Sequence, residues 1–256
     1  MVAERVLVPY HLDEHRPDLD VPVPASTTVR APLPADGTVW DRMAVLYDQV
    51  ADVVADAVAP ARSEPAAEPV LVQSADCTTS LGTVAGLQRA GVTPSVVWFD
   101  AHGDVQTPQT SASGYVGGMP VRILAGYGPE LIATRLRLAA VPEERIVLVD
   151  ARDLDPPERE YLESSAVRRV SVPALDASVL PDGPIYLHID LDVVDSAQVP
   201  GLLFPVPGGP SLTEVAAAMR RVLDTGRVVA VGLACTWHDG HAAADVVRAA
   251  LRLPWK

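Results

Sequence analysis

Short apolar runs alternate with amphipathic stretches along the whole chain. Arg5–Pro9, Pro69–Gln73, Val96–Phe99, Arg145–Val149, Val167–Val172, Ile185–Ile189 and Val228–Leu233 read as strands. Most are continuous Val, Ile and Leu rather than alternating, the pattern of strands covered on both faces. Between them, residues 39–59 place Trp40, Met43, Leu46, Tyr47, Val50, Val53, Val54 and Ala57 at the spacing of one helical face, with Asp36-Gly37 before and Pro60 as the stop. A helix through about Ala90 is opened by the hydroxyl-rich Ser74–Ser80. Further helices are predicted near Pro120–Gly126, Pro129–Ala139 and Pro157–Ser164. Ser211 and Glu214 form a capping box ahead of the stripe Leu212, Val215, Ala216, Met219, Val222 and Leu223. A last helix spans Ala242–Leu251, with Pro254 marking its end. Prolines 17, 22, 24, 32 and 34 make the segment after the first strand a loop, and Ser63–Pro69 is a polar connection. The alternation predicts an α/β fold: three α/β/α layers around a mostly parallel sheet, as a single domain over residues 1–256. Ligands in such folds bind beyond the carboxyl ends of the strands.

Composition narrows the function classes. The 256 residues are 48% hydrophobic, enough for a sizeable core, and the net charge of −13 has the wrong sign for nucleic acid or an anionic membrane. Two cysteines, Cys77 and Cys235, imply no disulfide framework. Met1–Arg5 lacks the apolar run of a signal peptide, and no stretch approaches the roughly 20 apolar residues of a membrane helix. The expectation is a cytoplasmic protein acting on a small molecule.

The chemistry gathers after two strands. Val96–Phe99 runs into Asp100-Ala101-His102-Gly103-Asp104, and Ile185–Ile189 runs into Asp190-Leu191-Asp192. Residues two apart in extended chain share a face, so Asp100 and His102 point together, Asp190 and Asp192 do likewise, and Asp104 follows if the extension persists. Crowded carboxylates repel and are costly to desolvate, and a divalent cation removes both problems. One imidazole and four carboxylates suit manganese or another divalent metal better than a structural zinc. Two such ions lower the pKa of a shared water, which predicts metal-assisted hydrolysis. Cys77, at a strand-to-helix junction, is either a small buried hydrophobe or a thiolate favoured by the helix N-terminus. His11 and His15 reach the site if the first strand lies beside the others, and are otherwise exposed loop residues. Asp150-Ala151-Arg152-Asp153 supplies ion pairs or a solvated loop. Val105–Gly118 and Val193–Gly209 are long connections, the second with Leu202-Leu203-Phe204 as a lid or an oligomer contact.

Asp100-Ala101-His102-Gly103-Asp104 resembles the Asp-Ala-His-x-Asp signature of the arginase/agmatinase (ureohydrolase) family. His188-Ile189-Asp190-Leu191-Asp192-Val193-Val194-Asp195 resembles its Ser-x-Asp-x-Asp-x-x-Asp-Pro. The resemblance runs from about Pro69 to Gly240. It implies a central eight-stranded sheet, two Mn2+ ions per chain and hydrolysis of a guanidino or amidino carbon, often in a homo-oligomeric trimer or hexamer. By position, Asp100, His102, Asp104, Asp190 and Asp192 match metal ligands. Asp104 and His102 carry the catalytic role, Asp104 as acceptor of a hydrogen bond from the attacking hydroxide. Ser74-Ala75-Asp76-Cys77 stands where the family has Gly-Gly-Asp-His, which makes Cys77 a ligand. The same replacement occurs in the Nω-hydroxy-L-arginine hydrolase branch of D-cycloserine biosynthesis, which Thr107-Pro108 and Gly114–Met119 also resemble. Gly117 falls at the family's proton-shuttle histidine and Trp237 at its guanidinium-binding glutamate. Gln106 and Ser113 match contacts to the substrate's amino-acid end, and the Trp237 indole face, or His238, Asp239 or His241 in place of the glutamate, would serve the other end. These departures imply a guanidino, N-hydroxyguanidino or amidine substrate other than plain L-arginine. The second option is a metal-binding relative without hydrolytic activity, acting as an assembly or regulatory subunit.

Overall fold

The computed structural model describes residues 4–61 and 68–251, so the chain's first residues, most of the Ser63–Pro69 connection and Pro254 fall outside it. In chain order the strands are β1 (Arg5–Val8), the hairpin β2 (Tyr10–His11) and β3 (Glu14–His15), β4 (Thr27–Thr28), β5 (Val70–Ser74), β6 (Ser95–Asp100), β7 (Ile146–Asp150), β8 (Arg168–Val170), β9 (Ile185–Asp190) and β10 (Val228–Ala234). The helices are α1 (Val39–Ala61), α2 (Ser80–Arg89), α3 (Pro120–Leu124), α4 (Ala133–Leu136), α5 (Pro156–Ser164), α6 (Leu212–Leu223) and α7 (Ala243–Leu251). One eight-stranded sheet runs β4-β1-β5-β10-β9-β6-β7-β8, every neighbouring pair parallel.

The strands alternate sides as the pleat requires. Val96 and Trp98 join a core with α1 and α2, while Val97 and Phe99 join a separate core with α6 and α7. Both faces are therefore dry, which is why the strands read as unbroken apolar runs. The Ser211/Glu214 capping box opens α6 as expected.

Three expectations change. The proline segment contains a strand, β4, only two residues long and paired with β1 at the sheet edge. The prolines keep it short, since they cannot donate to a ladder. The helix expected over Pro129–Ala139 contracts to α4, which ends at Arg137 in the left-handed region, φ 54°. The first long helix ends at Ala61, one residue past Pro60.

Strands β5 and β6 follow each other in the chain yet are separated in the sheet by β10 and β9. The connection order reverses there, and a crevice opens beyond the strand ends. Register levels those ends: Ser74 pairs with Ala234, Ala234 with Asp190, and Phe99 with Ile189. Among the described residues no helix is long and apolar enough to cross a membrane.

Candidate metal centre and active site

The two acidic motifs make the same local turn. Asp100 Oδ1 accepts the backbone N–H of His102 at 2.7 Å, and Asp190 Oδ1 accepts that of Asp192 at 2.9 Å. Each aspartate thus stops its strand by bonding two residues on, as aspartate does in turns. The turns join in space: His102 Nδ1 lies 3.3 Å from Asp100 Oδ1 and 3.1 Å from Asp192 Oδ2. Asp104 reaches the cluster by another route. The extension does not persist beyond Asp100. The chain bends back at Asp104 itself, φ 53°, a conformation that burdens any residue with a Cβ and persists only where the surroundings hold it.

Cys77 enters from β5. It begins a short 3₁₀ turn ahead of α2, opened by Asp76, whose side chain accepts from Thr78 N at 2.7 Å. Its Sγ lies 2.9 Å from Asp190 Oδ2, 3.9 Å from Asp100 Oδ2 and 3.3 Å from His188 Nε2. His188 is wedged in place, stacked on Trp98 with centroids 3.6 Å apart and with Nδ1 2.9 Å from Ser80 Oγ, which also meets the Tyr186 hydroxyl at 2.7 Å. Gly232 on β10 makes room for this group, since a Cβ there would lie 2.2 Å from the Tyr186 hydroxyl. Two donor sets result, Cys77/Asp100/Asp104 and Asp100/His102/Asp192, each with its atoms within 4.8 Å of one another. Asp100 belongs to both.

Burial and crowding set the charges. Burial, then the Asp100 charge, push Asp104 well above the carboxylate range. Burial and Asp192 do the same to Asp190, and burial and Asp100 raise Asp192 to about 7. Burial would lower the His102 pKa, but its bonds to Asp100 and Asp192 outweigh this and raise it to about 12. Burial pulls His188 down to about 3. Burial and the surrounding carboxylates push the Cys77 thiol up, against the thiolate that a helix N-terminus would favour. One oxygen of Asp104 is buried without a hydrogen-bond partner. Such a cluster is a poor core and fits a divalent cation pair, which would satisfy the orphaned oxygen and invert these shifts.

The metal-free protein is therefore expected to lose stability as pH rises. A carboxyl with a raised folded pKa stabilises the fold below its unfolded value, and that contribution fades as pH climbs toward the folded one. For Asp192 the window runs from about 4 to about 7, Asp104 and Asp190 act with the same sign, and His102 adds to it above pH 6.5. Asp192 alone contributes roughly 2–3 kcal/mol between about pH 5 and 7, several degrees of melting temperature in a chain of this size. Thermal melts in chelator should fall from about pH 5 to about pH 8, and Mn2+ should abolish the fall. A flat or rising trend in chelator would contradict the assignment of these carboxyls as a buried, like-charged cluster.

The centre floors a cavity of about 460 Å³. Gln106 and Ser113, expected at the substrate's far end, line it, and Gln106 Nε2 donates to Asp155 Oδ2 at 2.8 Å. Trp237 and His238 are not among the residues lining it. Trp237 is buried in the α6/α7 core with its indole N–H donated to Asp20 O at 3.1 Å, and His238 is exposed. From the β10 loop only Thr236 reaches the wall, with its hydroxyl on Asp190 Oδ1 at 2.7 Å. Two acidic wall residues escaped the sequence reading, Asp155 and Glu158. They are the capping box of α5, with Pro156 at its first position. The Asp-x-x-Glu spacing was the signal available for them. Arg152 pairs with Asp150 and also binds the carbonyls of Val193 and Val206, so this charged stretch ties down the Val193–Gly209 loop, whose Phe204 lines the cavity mouth.

A family model described as "Arginase family" matches residues 18–236. The chain belongs to the arginase family. Arginase of Bacillus subtilis is 34% identical over 170 residues, 61% of this chain and 57% of that protein. Arginase of Neurospora crassa is 31% identical over 185 residues, 64% of this chain and 52% of that one. The match thus spans little more than half the length of these curated arginases. In fold the agreement is complete along the chain: the Bacillus subtilis arginase crystal structure superposes with TM-score 0.77 at 23% identity, covering all of both chains. The formimidoylglutamase of the same species superposes at 0.70 with 16% identity, covering 98% of this chain and 86% of that one. The arginase-family frame therefore accounts for the eight-stranded parallel sheet.

Proposed function

We propose that this member of the arginase family is a binuclear metal-dependent hydrolase. It cleaves a C–N bond in a guanidino, N-hydroxyguanidino or related amidine-type small molecule other than plain L-arginine. The observation that carries the reading is the buried pair of donor sets sharing Asp100, with an unpartnered Asp104 oxygen facing them. Cys77, Asp100, Asp104 and Asp190 would hold one ion, and Asp100, His102, Asp190 and Asp192 the other. Mn2+ is the expected metal, although a thiolate shifts preference toward softer ions. Divalent cations bound there neutralise the carboxylates and make hydroxide available near neutral pH.

The chain's own residues supply the rest. Asp104, held in its strained turn, would orient the attacking group through the carboxylate oxygen it does not give to the ion. Asp155 and Glu158 give the far wall a negative face suited to an ammonium, with Gln106 and Ser113 beside them, so the substrate carries a cationic end. The absence of any carboxylate from the β10 loop at the wall argues against a guanidinium held there by a countercharge, and favours a less basic, N-hydroxylated group. Assembly into a trimer or hexamer belongs to the same proposal.

Elemental analysis after purification without chelator and incubation with Mn2+ should give about two ions per chain. The loaded protein should then hydrolyse an N-hydroxyguanidine faster than L-arginine. Faster turnover of L-arginine would overturn the substrate class. One ion or none in a folded protein would overturn the hydrolytic centre and favour the non-catalytic reading.

A further inference from the structure

Tyr115 occupies the space that a side chain at position 117 would need. A Cβ built on Gly117 would lie 2.2 Å from Cε1 and Cζ of the Tyr115 ring and 2.4 Å from its hydroxyl, so only glycine at 117 permits the ring to sit there. The ring lines the cavity beside Phe204, their centroids 5.1 Å apart. Burial, reinforced by Asp76, Cys77, Asp104 and Asp190, pushes the phenol far above the tyrosine range, so the hydroxyl keeps its proton beside the metal centre.

That hydroxyl lies 3.1 Å from Nε2 of His11, whose ring stacks on Tyr115 at 5.8 Å. Nδ1 of His11 is 3.2 Å from the carbonyl of Ala75. A carbonyl only accepts, so Nδ1 carries a hydrogen and Nε2 is the nitrogen committed to the phenol. Charged groups surround this half-buried imidazole. Asp76 accepts the N–H of Leu12 at 2.6 Å, Glu14 faces His11 across the hairpin, and Asp13 pairs with Arg42 at 2.5 Å. Two other donors on the wall already have partners: the Thr236 hydroxyl is on Asp190 and the Gln106 amide on Asp155.

We propose that Tyr115 is the catalytic residue that protonates the leaving nitrogen, with His11 as the positioning residue that reloads it. This rests on the hydrolytic reading above. As the C–N bond breaks, its electron pair stays on nitrogen, and that nitrogen takes the phenol proton. The phenol oxygen regains a proton from solvent by way of Nε2 of His11, which takes it from water and passes it on. The net change is one solvent proton delivered to the leaving amine, with no phenolate left among the carboxylates.

Tyr115→Phe removes only the oxygen. On the Mn2+-loaded enzyme with an N-hydroxyguanidine as substrate, kcat should fall at least tenfold while KM stays within about twofold, the pattern of an interaction made only in the transition state. His11→Gln, which keeps a polar contact but cannot pass on a proton, should lower kcat in the same way. Tyr115→Ala opens the space, and adding Gly117→His returns an imidazole to it, so the double variant should recover kcat above Tyr115→Ala alone. A change in KM with kcat unchanged, wild-type kcat in Tyr115→Phe, or no recovery in the double variant would overturn the assignment. A wild type that binds two ions and turns over no guanidino, hydroxyguanidino or amidine compound would instead overturn the hydrolytic reading, and this role with it.

Discussion

Asp100→Ala is expected to empty the centre of both ions. Asp100 is the residue shared by the two donor sets: Oδ2 lies 3.9 Å from the Cys77 sulfur and 3.0 Å from Trp98 Nε1, while Oδ1 lies 3.3 Å from His102 Nδ1. Removing it takes a ligand from each side at once. It also removes a negative charge that raises Asp104, Asp190 and Asp192. The two effects oppose each other in a way that can be read. Metal content should drop from about two ions to well under one, and hydrolysis by about a thousandfold or more, as befits loss of the reaction's main electrostatic element. The metal-free variant should lose less stability on going to alkaline pH than the metal-free wild type. Orphaning the buried Trp98 N–H costs about 1–3 kcal/mol, so Asp100→Asn, which keeps an acceptor there, serves as the folding control. Unchanged metal content in either variant would overturn the site assignment.

Cys77→His is expected to damage the centre, and His188→Ser to repair it. By resemblance the family carries histidine at 77 and serine at 188, so the imidazole has moved from one wall to the other. The structure supplies a steric reason for linking the two changes. His188 Nε2 is already 3.3 Å from the Cys77 sulfur, and its ring is pinned between Trp98 and Ser80. A second imidazole at 77 would crowd the His188 ring on the side away from the cavity, and overpacking of this kind costs typically 1–3 kcal/mol. Cys77→His alone should melt several degrees lower and bind fewer than two ions, while the double variant should regain both. Cys77→Ser, which keeps the space but loses the soft donor, should lose one ion selectively. Additive effects in the double variant would show that the two positions are independent.

The sheet was legible because its strands are covered on both faces. Val96–Phe99 and Ile185–Ile189 could hardly be anything else once Asp100 and Asp190 followed them. The clustering of the candidate ligands was legible for a related reason: a strand ending in aspartate two residues before another donor makes the same turn twice. What escaped depends on three-dimensional neighbours. Thr27–Thr28 became a strand because β1 offered an edge. Asp104 met the others through a left-handed bend that residue spacing does not encode. Trp237 stands at a substrate-contact position by resemblance, but the Leu202–Trp237 bridge and the Asp20 carbonyl turn its side chain into the core. Asp155 and Glu158 carry the spacing of a helix cap, which they are, but only the fold shows that the cap also faces the cavity. Tyr115 and Gly117 are two apart in sequence, yet their mutual exclusion is visible only in space.

The pairing of Cys77 with Asp190 closes a gap of 113 residues between the ends of two strands that are not neighbours in the sheet. The Cys77 set cannot exist until β5 and β6 are held in one sheet with β10 and β9 between them, and the His102 set needs β6 paired with β9, so early, partly assembled chains offer no complete pair of sites. Metal bound there is therefore expected to act after the folding barrier, leaving the rate of folding nearly unchanged and lengthening the lifetime of the finished protein.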